Sequence, residues 1–124
     1  MDARPQDFHP QGMARYLVPV PPSTNKLYAT VGRRRVKAMS YLAWINEAGW
    51  EIKSQHPFLI PGQVSVEYVC PINPKRDLGN FEKGLSDLLV RMGVIEDDKF
   101  ITDIRLLWAR DIDKVQITVK PCLI

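Results

Sequence analysis

Cysteine is scarce: Cys70 and Cys122 are the only two in 124 residues, and they show no metal-ligand spacing. Nothing in so cysteine-poor a chain points to an oxidising compartment, and the cytoplasm is the expected location. Long apolar runs are also missing. No uncharged apolar stretch approaches the ~20 residues that a membrane span requires, which excludes a helical membrane protein. The opening MDARPQDFHPQG has an acid, prolines and a histidine where a signal peptide needs an apolar run. It reads as a flexible leader over residues 1–12, ahead of one domain spanning residues 13–124. Repeats and low-complexity segments are absent. So is the aromatic-rich strand motif on which single-stranded RNA readers stack bases, which counts against a small RNA-binding domain.

What is present is ordinary in amount and uneven in placement. Hydrophobic residues make up 45% and charged residues 25%, a balance that fits one soluble globular domain and excludes disorder. The net charge of +3 is mild, but Arg33, Arg34, Arg35 and Lys37 fall within one stretch, GRRRVKAM. Such a cluster beside a glycine can follow a nucleic-acid backbone, or it can be a solvated loop.

Periodicity gives the order of elements. Arg15 to Val20 reads as a strand, stopped by Pro21-Pro22-Ser23-Thr24-Asn25 and followed by a polar, basic loop to about Ala38. Ser40 offers an N-cap to a helix in which Tyr41, Ile45, Ala48 and Ile52 recur at helical spacing, ending near Gln55 and His56-Pro57. Trp44 and Trp50 are expected in the core or at a dimer interface. From Gln63 to Ile72, Val64, Val66, Tyr68 and Cys70 alternate with Ser65 and Glu67 as a half-buried strand does. A second helix carries Phe81, Leu85, Leu88, Leu89 and Met92 on one stripe, with Asn80 as N-cap and Gly93 just past its end. Ile101–Ala109 and Val115–Val119 then read as a hairpin across Arg110–Lys114, with Trp108 in the core. The expected fold is a small single α/β domain, a mixed sheet with helices in strand-helix-strand-helix-hairpin order.

One stretch stands apart. Arg76-Asp77-Leu78-Gly79-Asn80-Phe81-Glu82-Lys83 packs acid, base, amide and glycine into a strand-to-helix junction. A capped helix start would explain it, and so would a site for a metal ion and a phosphate. Acids recur beyond the helix as Glu96-Asp97-Asp98. A helix of about thirteen residues is ~20 Å long, so the two groups meet only if the chain returns along it. Lys83 and Asp87 are four residues apart, which an ordinary helix ion pair worth ~0.3 kcal/mol would also explain.

The run from Arg76 to Asp98, RDLGNFEKGLSDLLVRMGVIEDD, resembles the signature of the RusA-type Holliday junction resolvases. That family begins the motif RDLDN-x-x-K and closes it, past a helix ending in glycine, with an acidic pair. Asp77, Asn80, Lys83, Asp87, Gly93, Asp97 and Asp98 occupy those places without a gap, and Pro21-Pro22-Ser23-x-Asn25 matches the family's earlier PPS-x-N element. The resemblance spans Tyr16 to Val119 and implies a dimeric, Mg2+-dependent endonuclease that nicks four-way or branched DNA. It implies Asp77 and Asp98 as metal-binding catalytic acids, Asp97 as a supporting acid and Lys83 as a catalytic lysine. Arg33, Arg34, Arg35, Lys37, Asn25 and Arg76 are the expected DNA contacts. One position departs: the family's second aspartate is Gly79, with Glu82 a substitute oxygen on the first helical turn. That change leaves a second expectation open, a junction-binding relative that no longer cleaves.

Overall fold

The computed structural model describes residues 12–23 and 27–122. Its strands and helices follow in the order β1 (Ala14–Val18), β2 (Tyr28–Val31), β3 (Arg34–Lys37), α1 (Met39–Ser54), β4 (Val64–Pro71), α2 (Glu82–Arg91), β5 (Ile101–Ala109) and β6 (Val115–Pro121). Four strands make one mixed sheet, β1-β6-β4-β5, in which β4 and β5 are parallel and β6 is antiparallel to both β1 and β4. This is the expected small α/β domain with helices on a mixed sheet. The expected final hairpin is not formed, because β4 lies between β5 and β6. Burial explains the order. β6 buries Val115, Ile117 and Val119 on one face and takes a central place. β5 leaves Thr102, Asp103 and Arg105 exposed, as suits an edge strand.

Both helices cover one face of the sheet. Val64, Val66, Tyr68 and Cys70 of β4 join Ile45, Ala48 and Ile52 of α1 and Leu85, Leu88 and Leu89 of α2 in a single buried cluster. The other face is open, with Leu17 left 47% exposed. Gln55, at the end of α1, secures the edge strand β1. Its side-chain amide accepts from the Leu17 N–H and donates to the Leu17 carbonyl, both at 2.9 Å, standing in for a neighbouring strand.

Three local expectations change. α1 starts at Met39 with Ala38 as N-cap and no side-chain cap, so Ser40 lies inside the helix. The Ala38 N–H donates to the Leu27 carbonyl at 2.9 Å, which fixes the entry without a capping hydroxyl. Trp50 is 72% exposed and so lies outside the core, the first of its two expected places, with the Lys53 ammonium 5.7 Å from its ring centroid. The basic loop is a hairpin: β2 and β3 pair antiparallel across Gly32-Arg33, and Gly32 has φ 63, as the first central residue of a two-residue hairpin turn requires. The leader, but for Gly12, and Asn25 of the PPS-x-N element lie outside the described residues.

The C-terminus of α2 sets the path into the acidic loop. Gly93 has φ 73, its N–H donates to the Val90 carbonyl at 3.1 Å, and the Val94 N–H donates to the Leu89 carbonyl at 2.9 Å. This is the paired closure of a Schellman motif. Val94 and Ile95 are then buried, and the Ile60 N–H donates to the Val94 carbonyl at 2.8 Å. Because a Cβ at Gly93 would meet nothing within 4 Å, only backbone conformation opposes a side chain there. Gly93→Ala is therefore expected to cost about 1–2 kcal/mol, read as a lower midpoint in urea with an unchanged m-value. A midpoint equal to that of the parent chain would show that the turn does not need glycine.

Candidate active site

The RDLGN segment is held from below. Phe81 is fully buried and meets the Trp108 ring edge-on, centroids 5.4 Å apart. The Arg76 guanidinium lies 4.0 Å from the Phe81 centroid, and its Nη1 donates to the Pro21 carbonyl at 2.8 Å. Arg76 therefore clasps the proline element to the RDLGN turn. Its Nε and Nη2 are buried without a hydrogen-bond partner among the described residues, and burial holds its pKa below the usual value. Expected as a DNA contact, Arg76 is turned inward instead. Asp77 is exposed, in extended backbone with φ −81 and ψ 140, just before a 3-10 turn over Leu78–Phe81. The Asn80 N–H donates to the Asp77 carbonyl at 3.0 Å, and Asn80 lies inside the turn rather than capping α2. Gly79 has no positive φ, and a Cβ there would meet nothing within 4 Å.

The polar side of α2 splits into two sets. Inside, the Tyr68 hydroxyl and Ser86 Oγ share a hydrogen bond at 2.9 Å, and Ser86 Oγ donates to Glu82 Oε2. One oxygen of Glu82 is thus engaged within the fold. Outside, Lys83 Nζ stands 3.4 Å from Asp87 Oδ1 and 3.3 Å from Asp87 Oδ2. The Tyr41 hydroxyl, reaching across from α1, donates to Asp87 Oδ2 at 3.3 Å. Asp87 raises the pKa of Lys83, while burial first and Asp87 second raise that of Tyr41.

Past the buried Val94-Ile95, Asp97 caps a 3-10 turn over Asp98–Phe100 by accepting from the Lys99 N–H at 3.1 Å. That bond, then a side-chain hydrogen bond with Asp98, lowers the Asp97 pKa. The same contact with Asp97 is the largest influence raising the Asp98 pKa, and Asp87 raises it further. The two carboxyl groups thus pull each other's pKa in opposite directions, as neighbouring like charges do.

Asp87, Asp97, Asp98, Tyr28, Lys37, Tyr41 and Arg91 line one cleft of about 370 Å3. Lys83 joins it through Asp87. Arg35 sits over the Tyr28 ring at 4.9 Å, so the β2–β3 hairpin presents its basic residues beside this cleft. Of the expected site residues, the cleft lining gathers Lys37, Asp97 and Asp98, and Lys83 is paired with Asp87 of that lining. Asp77, Glu82 and the exposed Arg33, Arg34 and Arg35 are not among the cleft lining. Tyr28, Tyr41 and Arg91 are additions. Tyr41 had a signal, since a tyrosine at a core position brings a hydroxyl that needs a partner.

Among the described residues, no three His, Cys, Asp or Glu side chains converge as a metal-holding group. The observation that fits a cation is the pair of adjacent carboxylates, Asp97 and Asp98, lining one cleft, where a positive ion would offset their mutual repulsion. The hard-oxygen donor set fits such an ion.

Comparison with known proteins follows the same direction. The family model described as Endodeoxyribonuclease RusA matches residues 18–120. The chain is similar to the crossover junction endodeoxyribonuclease RusA of Aquifex aeolicus (strain VF5), 28% identical over 109 residues, covering 85% of this chain and 86% of that protein. No helix among the described residues is long and apolar enough to cross a membrane.

Proposed function

The chain belongs to the RusA family of endodeoxyribonucleases, and on that footing we propose that it nicks four-way DNA junctions with Mg2+, as a homodimer in the cytoplasm. The cleft is the observation that carries this reading. It sets Asp97 and Asp98 beside Lys37 and Arg91. Phosphodiester hydrolysis needs such a pairing of oxygen donors for a metal with cations for a polyanion.

Asp77 and Asp98 are the residues assigned to the ion, with Asp97 in support and the free oxygen of Glu82 as a further donor. Mg2+, when bound, lowers the pKa of an attacking water and neutralises charge on the phosphate oxygens. Lys83 contributes a fixed positive charge toward the charge that develops on the phosphate. Arg33, Arg34 and Arg35 stand exposed on the hairpin and, with Lys37, grip phosphates along an arm of the junction. Asn25 is a DNA contact by its place in the PPS-x-N element. A homodimer follows from symmetry, since a junction offers two equivalent strands and one chain carries one acidic pair. Sedimentation that shows only monomer at micromolar concentration, with junction nicking intact, would reject that assembly.

Gly79 favours a second reading, binding without cleavage, because the family's second carboxylate is missing there. The deciding assay is nicking of a synthetic four-way junction with Mg2+ against EDTA. Nicking only with Mg2+ is the expected result, and tight binding without nicking would establish the second reading.

Asp98→Asn is expected to abolish nicking while junction binding in EDTA stays equal or tightens, because it removes a metal oxygen and a charge that repels DNA. Cleavage at the parental rate would remove Asp98 from the site. Replacing Arg33, Arg34 and Arg35 together with alanine should flatten the salt dependence of binding by about 0.9 log unit per lost phosphate contact. An unchanged slope would leave the hairpin a solvated surface. Gly79→Asp restores the RDLDN pattern at a position with room for a side chain and no positive φ. It should fold normally and nick at a lower Mg2+ concentration than Gly79→Asn, which adds similar bulk without charge. Equal Mg2+ dependence in the two variants would make residue 79 part of a turn only.

A further inference from the structure

We propose that Asp87 is a positioning residue for Lys83: with Tyr41 behind it, Asp87 holds the lysine ammonium at the acidic cleft. The inference rests on the reading of Lys83 as a catalytic lysine, and its test separates the two. A lysine side chain is flexible, carrying ~2 kcal/mol of rotamer entropy, and Lys83 is 47% exposed. Left alone, its ammonium would sample many places, whereas a charge aimed at a reacting phosphate must be held to about 0.5 Å.

The structure supplies a chain of restraint from the core outward. Trp44 is 5% exposed, and its Nε1 donates to the Pro19 carbonyl at 2.8 Å. Tyr41, 1% exposed, stacks on Trp44 with centroids 6.1 Å apart and meets Tyr28 edge-on at 6.0 Å. Packing on both sides fixes the Tyr41 ring and so its hydroxyl. That hydroxyl donates to Asp87 Oδ2 at 3.3 Å. Lys83 Nζ then reaches Asp87 Oδ1 at 3.4 Å and Oδ2 at 3.3 Å. Both Asp87 oxygens thus face Lys83 and Tyr41, which separates Asp87 from the metal-holding acids although it lines the same cleft.

An ordinary helix ion pair explains less. A pair this exposed contributes little to stability once solvent screening is counted, and such a pair requires no third partner from another helix. The long contacts suit a hold that yields, letting the ammonium pass to a phosphate oxygen without breaking a tight bridge.

The test compares the full chain with Asp87→Asn, Tyr41→Phe, Lys83→Met and the Lys83→Met/Asp87→Asn double variant. Each is measured for single-turnover nicking of a four-way junction in Mg2+, junction affinity in EDTA, and thermal midpoint. Asparagine keeps an oxygen for Tyr41 but loses the charge that holds Lys83. Asp87→Asn is expected to slow nicking about tenfold to a hundredfold, with affinity no weaker and the midpoint unchanged. Tyr41→Phe should slow nicking in the same direction by a smaller factor. In the Lys83→Met background, Asp87→Asn should add no further loss, because the lysine it positions is gone. Nicking by Asp87→Asn at the parental rate, or an equal further loss in the Lys83→Met background, overturns the positioning role. Nicking by Lys83→Met at the parental rate instead overturns the catalytic reading of the lysine on which the inference rests.

Discussion

A parallel strand pair cannot be closed by a tight turn, and in this sheet β4 and β5 are that pair. The chain that leaves β4 at Pro71 must travel back along the sheet before it can start β5 at Ile101. α2 is the return path. The RDLGN segment is therefore the outgoing end of the crossover and Glu96-Asp97-Asp98 the incoming end, with Lys83 and Asp87 on the helix between them. Each device already described serves that journey. Phe81 and Arg76 pin the departure, the buried stripe Leu85, Leu88 and Leu89 lays the helix on the sheet, and Gly93 with Val94 turns the chain home. Loss of the parallel pairing would dissolve the site with it.

The second element is the hairpin β2–β3, which belongs to no larger sheet among the described residues. Nearly all of it is exposed, and it is anchored where Leu27 is buried and Ala38 bonds back to it. A protruding arm with arginines at its tip costs the fold little hydrophobic area, and its charge is free to meet an external polyanion. Lys37 and Tyr28, paired across its base, turn the same arm toward the cleft. The basic arm and the acidic pair thus come from separate parts of the chain that share one boundary.

Much of this was legible because it is local. The alternation in β4, the apolar stripe of α2 and the glycine that ends it each follow from a few neighbouring residues, and each is present. Sheet order was not legible in the same way. The link from Ala109 to Val115 is short enough for a hairpin, and only the competition for buried places put β6 in the centre and β5 at the edge. Charge also hid structure. Three consecutive arginines masked the hairpin, although Gly32 marks its turn. Arg76 looked solvent-directed because its partner carbonyl on Pro21 lies 55 positions away. The triad of Tyr41, Asp87 and Lys83 needed two helices to be packed before a core tyrosine could be seen holding a surface acid.

The cleft's charges explain why metal and DNA should bind together. Asp87, Asp97 and Asp98 stand against Lys37, Arg91 and the tethered Lys83, three acids against three bases. A balanced group has little net pull on a phosphate. A divalent cation at the acids would leave a net positive charge, so the pocket would attract a phosphodiester once the ion is seated. DNA in turn would add oxygens to the ion, and by linkage each would tighten the other. Under the proposed function, glycine rather than aspartate at residue 79 would remove one carboxylate from the hold on the cation and one charge for the DNA to overcome. With the acids reduced, the proposed hold of Asp87 and Tyr41 on Lys83 would matter more.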